Sequence, residues 1–201
     1  MVDDYAKQLD ELERLRRINA IYGAVIARYR NYIAQEEGIS VAELPRLVTP
    51  KNSAVAKKAK ELLSGIDRFN YERDFYEASV LAYNFVKDSI REVILPMEFW
   101  LEPEEVLEFS AGEKIDRYVL LCSLLIAMGN PSSRILMYTK GEKTFALVYY
   151  ELGGKIYAMN FDSGIKRFEK KEELLSEYGI MNADEVTMAY EFNDKMYIDI
   201  A

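Results

Sequence analysis

Apolar residues recur three or four apart over a long opening stretch: Leu9, Leu12, Leu15, Ile18, Tyr22, Val25, Ile26, Tyr29 and Ile33. No proline or turn cluster interrupts the segment from Asp4 to Gln35, so the spacing predicts one long amphipathic helix, with Glu37-Gly38 as its stop. About 30 residues at a rise of 1.5 Å make roughly 45 Å of helix, more than a domain of this size needs. The excess length has two outlets: packing back on its own domain, or pairing with a second copy. The heptad is irregular after Ile18, which favours the first.

Ile39 to Pro50 holds two prolines and reads as a connector. Asn52 or Ser53 then caps a helix that runs to about Ser64 and stops at Gly65. From about Tyr71 to Ile94 the apolar set Phe75, Val80, Tyr83, Val86, Ile90 and Val93 keeps helical spacing, and Pro96 lies beyond it as a breaker. Glu102-Pro103-Glu104-Glu105 opens a short helix with proline and acids in its first turn. Ser110-Ala111-Gly112-Glu113 has the spacing of a capping box, which predicts a helix beginning at Ser110. That helix continues through the apolar run Tyr118 to Met128 and ends at Gly129-Asn130-Pro131.

Past Pro131 the pattern changes period. Arg134 to Thr139, Thr144 to Glu151 and Lys155 to Phe161 are rich in β-branched and aromatic residues, separated by Lys140-Gly141-Glu142-Lys143 and Gly153-Gly154. Lys171 to Tyr178 reads as a short helix stopped by Gly179, and Glu185 to Phe192 with Lys195 to Ile200 as a last hairpin around Asn193-Asp194. Helices followed by strands predict an α+β fold, a buried helix packed on a mostly antiparallel sheet and preceded by a helical N-terminal region. The natural division is 1–46, the long helix and connector, and 47–201, the α+β domain.

Composition narrows the chemistry. The 201 residues carry 26 Lys+Arg against 34 Asp+Glu, one cysteine and no histidine. A single cysteine forms no internal disulfide, and without histidine there is no Cys-His or Ser-His couple and no imidazole metal site. The net charge of -8 opposes binding to nucleic acid or an anionic membrane. No apolar run approaches the roughly 20 residues of a membrane span, and the acidic start MVDDYAKQLDEL lacks the pattern of a secretion signal, so a cytoplasmic location is expected.

Several phrases between Leu47 and about Gly164 resemble the transglutaminase-like domains of prokaryotic proteins, which share the papain-like cysteine-peptidase core. They are Val48-Thr49-Pro50 with Asn52 and Val55, Trp100-Leu101-Glu102-Pro103-Glu104-Glu105-Val106-Leu107, Gly112-x-x-x-Asp116, and Leu120-Leu121-Cys122-Ser123-Leu124-Leu125 with Met128-Gly129. Ala146 and Val148 sit where the family writes a His-Ala-aromatic-Val-Glu strand, and Gly154 to Asn160 resembles its Gly-x-Trp-x-x-x-Asp strand. The resemblance implies a Cys-His-Asp triad with the cysteine at the N-terminus of the buried helix. Carried over residue by residue, the cysteine falls on Lys114, the histidine on Phe145 and the aspartate on Asn160, so all three positions have departed.

Cys122 lies eight residues past Lys114 in an apolar run and reads as a core thiol. Lys114 reads as an exposed lysine, with the alternative of a pairing with Asp162 or Glu142 in what would have been the cleft. Glu102, Glu104, Glu105, Glu172 and Glu173 read as solvated faces, and Asp116 as a structural acid. The leading expectation is a catalytically inactive transglutaminase-like protein that binds a protein or peptide partner through Trp100, Lys114, Phe145, Asn160 and Asp162, or through its first helix, with no cofactor or metal. Two rivals remain: an enzyme using Lys114 as an amine nucleophile, and a structural protein that self-associates into a homodimer through the long helix.

Overall fold

The computed structural model describes residues 2–33, 41–94, 100–181 and 186–200. The helical half comprises α1 (Val2–Ile33), a 3-10 helix (Val41–Leu47), α2 (Ser53–Leu63), α3 (Tyr71–Ser89), α4 (Pro103–Phe109) and α5 (Lys114–Ala127). Two short strands, β1 (Arg91–Glu92) and β2 (Ala111–Gly112), are threaded among these helices. The second half holds β3 (Arg134–Lys140), β4 (Lys143–Leu152), β5 (Lys155–Asn160), β6 (Gly164–Phe168), α6 (Lys171–Glu177), β7 (Val186–Phe192) and β8 (Tyr197–Asp199). The fold is α+β as expected, built on a six-stranded sheet ordered β6-β5-β4-β3-β7-β8 in which every pairing is antiparallel. The helix stop at Glu37-Gly38 and the breaker Pro96 lie outside the described residues.

Period-two alternation divides the sheet into two faces. Along β4, Ala146, Val148 and Tyr150 belong to the large core that also contains Tyr118 to Leu125 of α5 and Phe75, Ala78 and Ala82 of α3. The intervening Leu147 and Tyr149 belong to a second, smaller core with Leu174 and Leu175 of α6. Helix α5 is buried along almost its whole length, which explains why its sequence is apolar all round instead of striped. Ile21 and Val25 of α1 join the large core, and Arg28 donates to the Trp100 carbonyl at 3.0 Å and to Glu105 at 2.6 Å. At the β4–β5 hairpin Gly153 and Gly154 take φ values of +59° and +73°, as a two-residue turn with two left-handed positions requires.

Four local expectations are corrected. Helix α3 ends at Ser89, not near Ile94: Ile90 turns extended and Arg91–Glu92 pair in parallel with Ala111–Gly112. The buried helix starts at Lys114 instead of Ser110. Ser110 closes α4 in the left-handed region at φ +49°, and the capping box is formed by Glu113 and Asp116. The connector contains a 3-10 helix around Pro45, and β6 is a strand that the pattern did not announce. Among the described residues no helix is long and apolar enough to cross a membrane.

Candidate functional site

The first turn of α5 is built around Asp116. One carboxylate oxygen accepts from the Leu101 backbone N–H at 3.0 Å, the other from the Glu113 N–H at 2.9 Å, so one side chain both caps the helix and anchors the incoming Trp100–Leu101 segment. Burial pushes its pKa up from 3.8 to about 7, against the two backbone donors that favour the ionised form, and the charges of Glu113 and Glu105 add to the rise. Gly112 lies so close that an added Cβ would meet the Asp116 Cβ at 3.1 Å. Asp116 is therefore structural, as expected, although its partners are not those of a box begun at Ser110.

Lys114, the first residue of α5, forms an ion pair with Asp162 in the turn between β5 and β6. Asn160 shapes that turn from within. Its side-chain oxygen accepts from the backbone N–H groups of Asp162 and Ser163, both at 2.9 Å, while its amide donates to the Ala146 carbonyl at 3.3 Å. The turn is also clamped to two helices: Tyr83 of α3 donates to the Asn160 carbonyl at 2.9 Å, and the Tyr118 hydroxyl of α5 accepts from the Phe161 N–H at 3.0 Å. The Phe161 ring stacks on Tyr118 with centroids 4.4 Å apart and carries the Arg117 guanidinium 4.5 Å from its centroid. Lys114, Asp162 and Asn160 thus meet in one turn.

Phe145 has a different neighbourhood. It shares the face of β4 that carries Leu147 and Tyr149, and its ring stacks on Tyr138 at 5.3 Å, on the side of the sheet where α6 packs. Trp100 is half-buried against the large core and is held by its carbonyl through Arg28. Two open hollows in the surface lie elsewhere: one of 490 Å³ bordered by Lys57, Lys58, Phe85 and Leu107, and one of 390 Å³ bordered by Tyr76, Tyr157 and Arg167.

Cys122 is fully buried, and burial pushes its thiol well above the ordinary range, which disfavours the thiolate that nucleophilic attack requires. Among the described residues no group of three or more Cys, Asp or Glu is arranged to hold a metal ion.

Two polar features escaped sequence reasoning. Arg117 is buried and ties α5 to Glu92 at 2.6 Å and to the Lys87 carbonyl at 3.0 Å. A basic residue opening an eleven-residue apolar run was the available signal. Glu191 is completely buried on β7 and accepts from Tyr149 at 2.6 Å, Lys171 at 2.7 Å and Arg134 at 2.9 Å. No local pattern marks that constellation, because its members come from four separate elements.

The architecture is an α+β fold with a buried helix packed on an antiparallel sheet, and its shape is similar to that of the transglutaminase-like fold. Among solved structures, LapG of Legionella pneumophila, a bacterial protein of transglutaminase-like cysteine-protease fold, matches at 14% identity with a TM-score of 0.51, over 81% of this chain and 88% of its own. The calcium-bound form of the same protein matches at 13% identity with a TM-score of 0.50 over the same shares. No protein-family profile and no curated protein matches the sequence. At such low identity the likeness establishes the fold.

Proposed function

We propose that this chain is a catalytically inactive protein of the transglutaminase-like fold, working in the cytoplasm as a binding or scaffold module for a protein or peptide partner. A helical extension, 1–46, precedes the module at 47–201. The observation that carries the reading is that no histidine occurs anywhere in the 201 residues, so acyl transfer by a Cys-His pair has no base on this chain. The surroundings of the other two positions agree. Lys114 is engaged by Asp162, whereas a nucleophilic amine is activated by apolar surroundings or a neighbouring cation. Asn160 holds the turn that carries Asp162 with its side-chain oxygen and bridges to β4 with its amide nitrogen. A single buried cysteine suits a reducing compartment. The binding surface on this reading is the one around Trp100, Lys114, Asn160 and Asp162; Phe145, on the face of the sheet where α6 packs, lies apart from it.

The test is reductive trapping. The full chain is incubated with glyoxylate or pyruvate and borohydride, and intact mass is compared with a Lys114→Met variant. The same added mass on parent and variant is expected. An adduct that depends on Lys114 would overturn the inactive reading in favour of an amine-nucleophile enzyme.

A further inference from the structure

The sheet has two edges of different character. On one side β8 is three residues long and lies beside the 3-10 helix. On the other side β6 is outermost, five residues long, and every one of them is at least partly exposed. In an antiparallel ladder alternate backbone N–H and C=O groups of an outermost strand point away from its neighbour, so β6 presents a row of unpaired donors and acceptors among the described residues.

Beside that row lies the 390 Å³ hollow bordered by Tyr76, Tyr157, Ile165, Lys166 and Arg167. Its floor is rigid. Tyr76 leans on Tyr157 with ring centroids 5.2 Å apart, Tyr157 stacks on buried Tyr150 at 5.3 Å, and the Tyr150 hydroxyl meets Ser79 at 2.7 Å. Tyr76 is nevertheless 46% exposed, an aromatic ring held in place and offered to solvent.

Charge selects among occupants. The chain as a whole carries -8, yet 164–171 holds Lys166, Arg167, Lys170 and Lys171 against Glu169 alone. Lys171 is taken by buried Glu191 and Lys166 by Glu177. Arg167 meets Glu169 only at 3.9 Å with both side chains more than half exposed, a contact readily exchanged for another carboxylate. With Lys166 and Lys171 paired, Arg167 is a cation that β6 itself offers; a second Arg167 opposes pairing with another copy, and an acid in the guest strand is favoured.

We propose that β6 receives an extended acidic peptide segment of a partner protein as an added strand. Backbone groups supply the pairing and the Tyr76–Tyr157 hollow supplies selectivity, as in other strand-addition recognition. Register fixes the preference. Arg167 lies opposite Tyr157 and Ile165 opposite Met159, so both share the face of the hollow. The guest presents an acid beside Arg167 and, two residues away, an apolar or aromatic side chain beside Ile165 and Tyr76. This proposal stands whether or not the chain is catalytically inactive, because it uses no residue of the α5 site.

The test is a selection of phage-displayed random peptides against the full chain, followed by fluorescence anisotropy with the selected sequences as synthetic peptides. Acid-rich sequences with one aromatic or branched residue two positions from an acid are expected. Arg167→Glu is expected to weaken their binding at least ~10-fold, Tyr76→Ala by a similar factor, and N-methylation of the central peptide amide to abolish it. Both side chains are exposed, so circular dichroism is expected to show both variants folded. A selection that yields no binders, or binders without acid enrichment, would overturn the proposal. So would binding indifferent to Arg167→Glu or to N-methylation, or peptide displaced by oligouridylate at equal concentration.

Discussion

Two buried carboxylates, one behind each face of the sheet, are treated in opposite ways. Asp116 at the start of α5 is held by backbone N–H groups, while the cations beside it in sequence are directed elsewhere, Lys114 to Asp162 and Arg117 to Glu92. Its pKa is raised by burial to about 7. Glu191 on β7 is buried as completely, and burial alone would raise it. Hydrogen bonds from Lys171 and Tyr149 and the charges of Lys171 and Arg134 hold it below the ordinary range. Both are shut off from solvent, but Asp116 lies deeper among protein atoms and meets only backbone dipoles, whereas Glu191 meets full charges; depth and partners together give the opposite outcomes. The α5 face, where the resemblance places catalysis, is organised as a helix start that anchors a loop. The charged constellation sits on the far side of the sheet.

Removing the charge at Glu191 is expected to have the largest effect. Glu191→Gln leaves Arg134 and Lys171 without a counterion, and since both are partly exposed the loss is about 2–3 kcal/mol, below that of a fully buried pair. Urea unfolding at neutral pH measures it. The folded pKa of Glu191 is lowered, so its stabilisation is present above the unfolded value and is lost as pH falls through the folded one. The deficit of Glu191→Gln therefore shrinks toward acid.

Asp116→Asn is expected to cost about 1–2 kcal/mol near pH 4, because the amide nitrogen cannot accept from the Glu113 or Leu101 N–H. Here the sign reverses. A raised folded pKa means that the native state holds its proton more tightly, so the parent loses stability as pH climbs from about 4 to about 7. The Asn variant is expected to lack that slope, and its deficit shrinks toward neutrality. Parallel slopes for the two variants would erase the distinction between the two acids. Lys114→Ala is expected to change stability by less than about 1 kcal/mol, since Lys114 and Asp162 are 37% and 67% exposed.

Much of the fold was legible because it rests on period. The all-round apolar helix, the alternating strands and the Gly153-Gly154 turn each carry a local signature that agrees with the tertiary structure. Ser110 misled because its spacing to Glu113 is the right one, while a non-local fact decides the matter: Ala111–Gly112 pair with Arg91–Glu92, twenty residues away, and the helix starts after that pairing. The same pairing ends α3 early, where Val93 still kept helical spacing. Strand β6 was missed because its Gly-Ile-Lys-Arg-Phe sequence is short, begins with glycine and lies at an edge with little to bury. At the site, the Lys114–Asp162 pair was among the alternatives that sequence raised. The role of Asn160 in shaping the turn and the direction of Phe145 toward Tyr138 were not readable without the register of β3, β4 and β5.

The central claim is that the buried helix offers no thiolate to solvent. Iodoacetamide labelling of Cys122, followed by mass spectrometry from pH 7 to pH 9 with and without urea, tests this most directly. Modification is expected only at the rate of global unfolding, with little dependence on pH beyond that of the unfolded thiol. Fast labelling of the native protein that saturates below pH 7 would reveal an activated thiolate and contradict it.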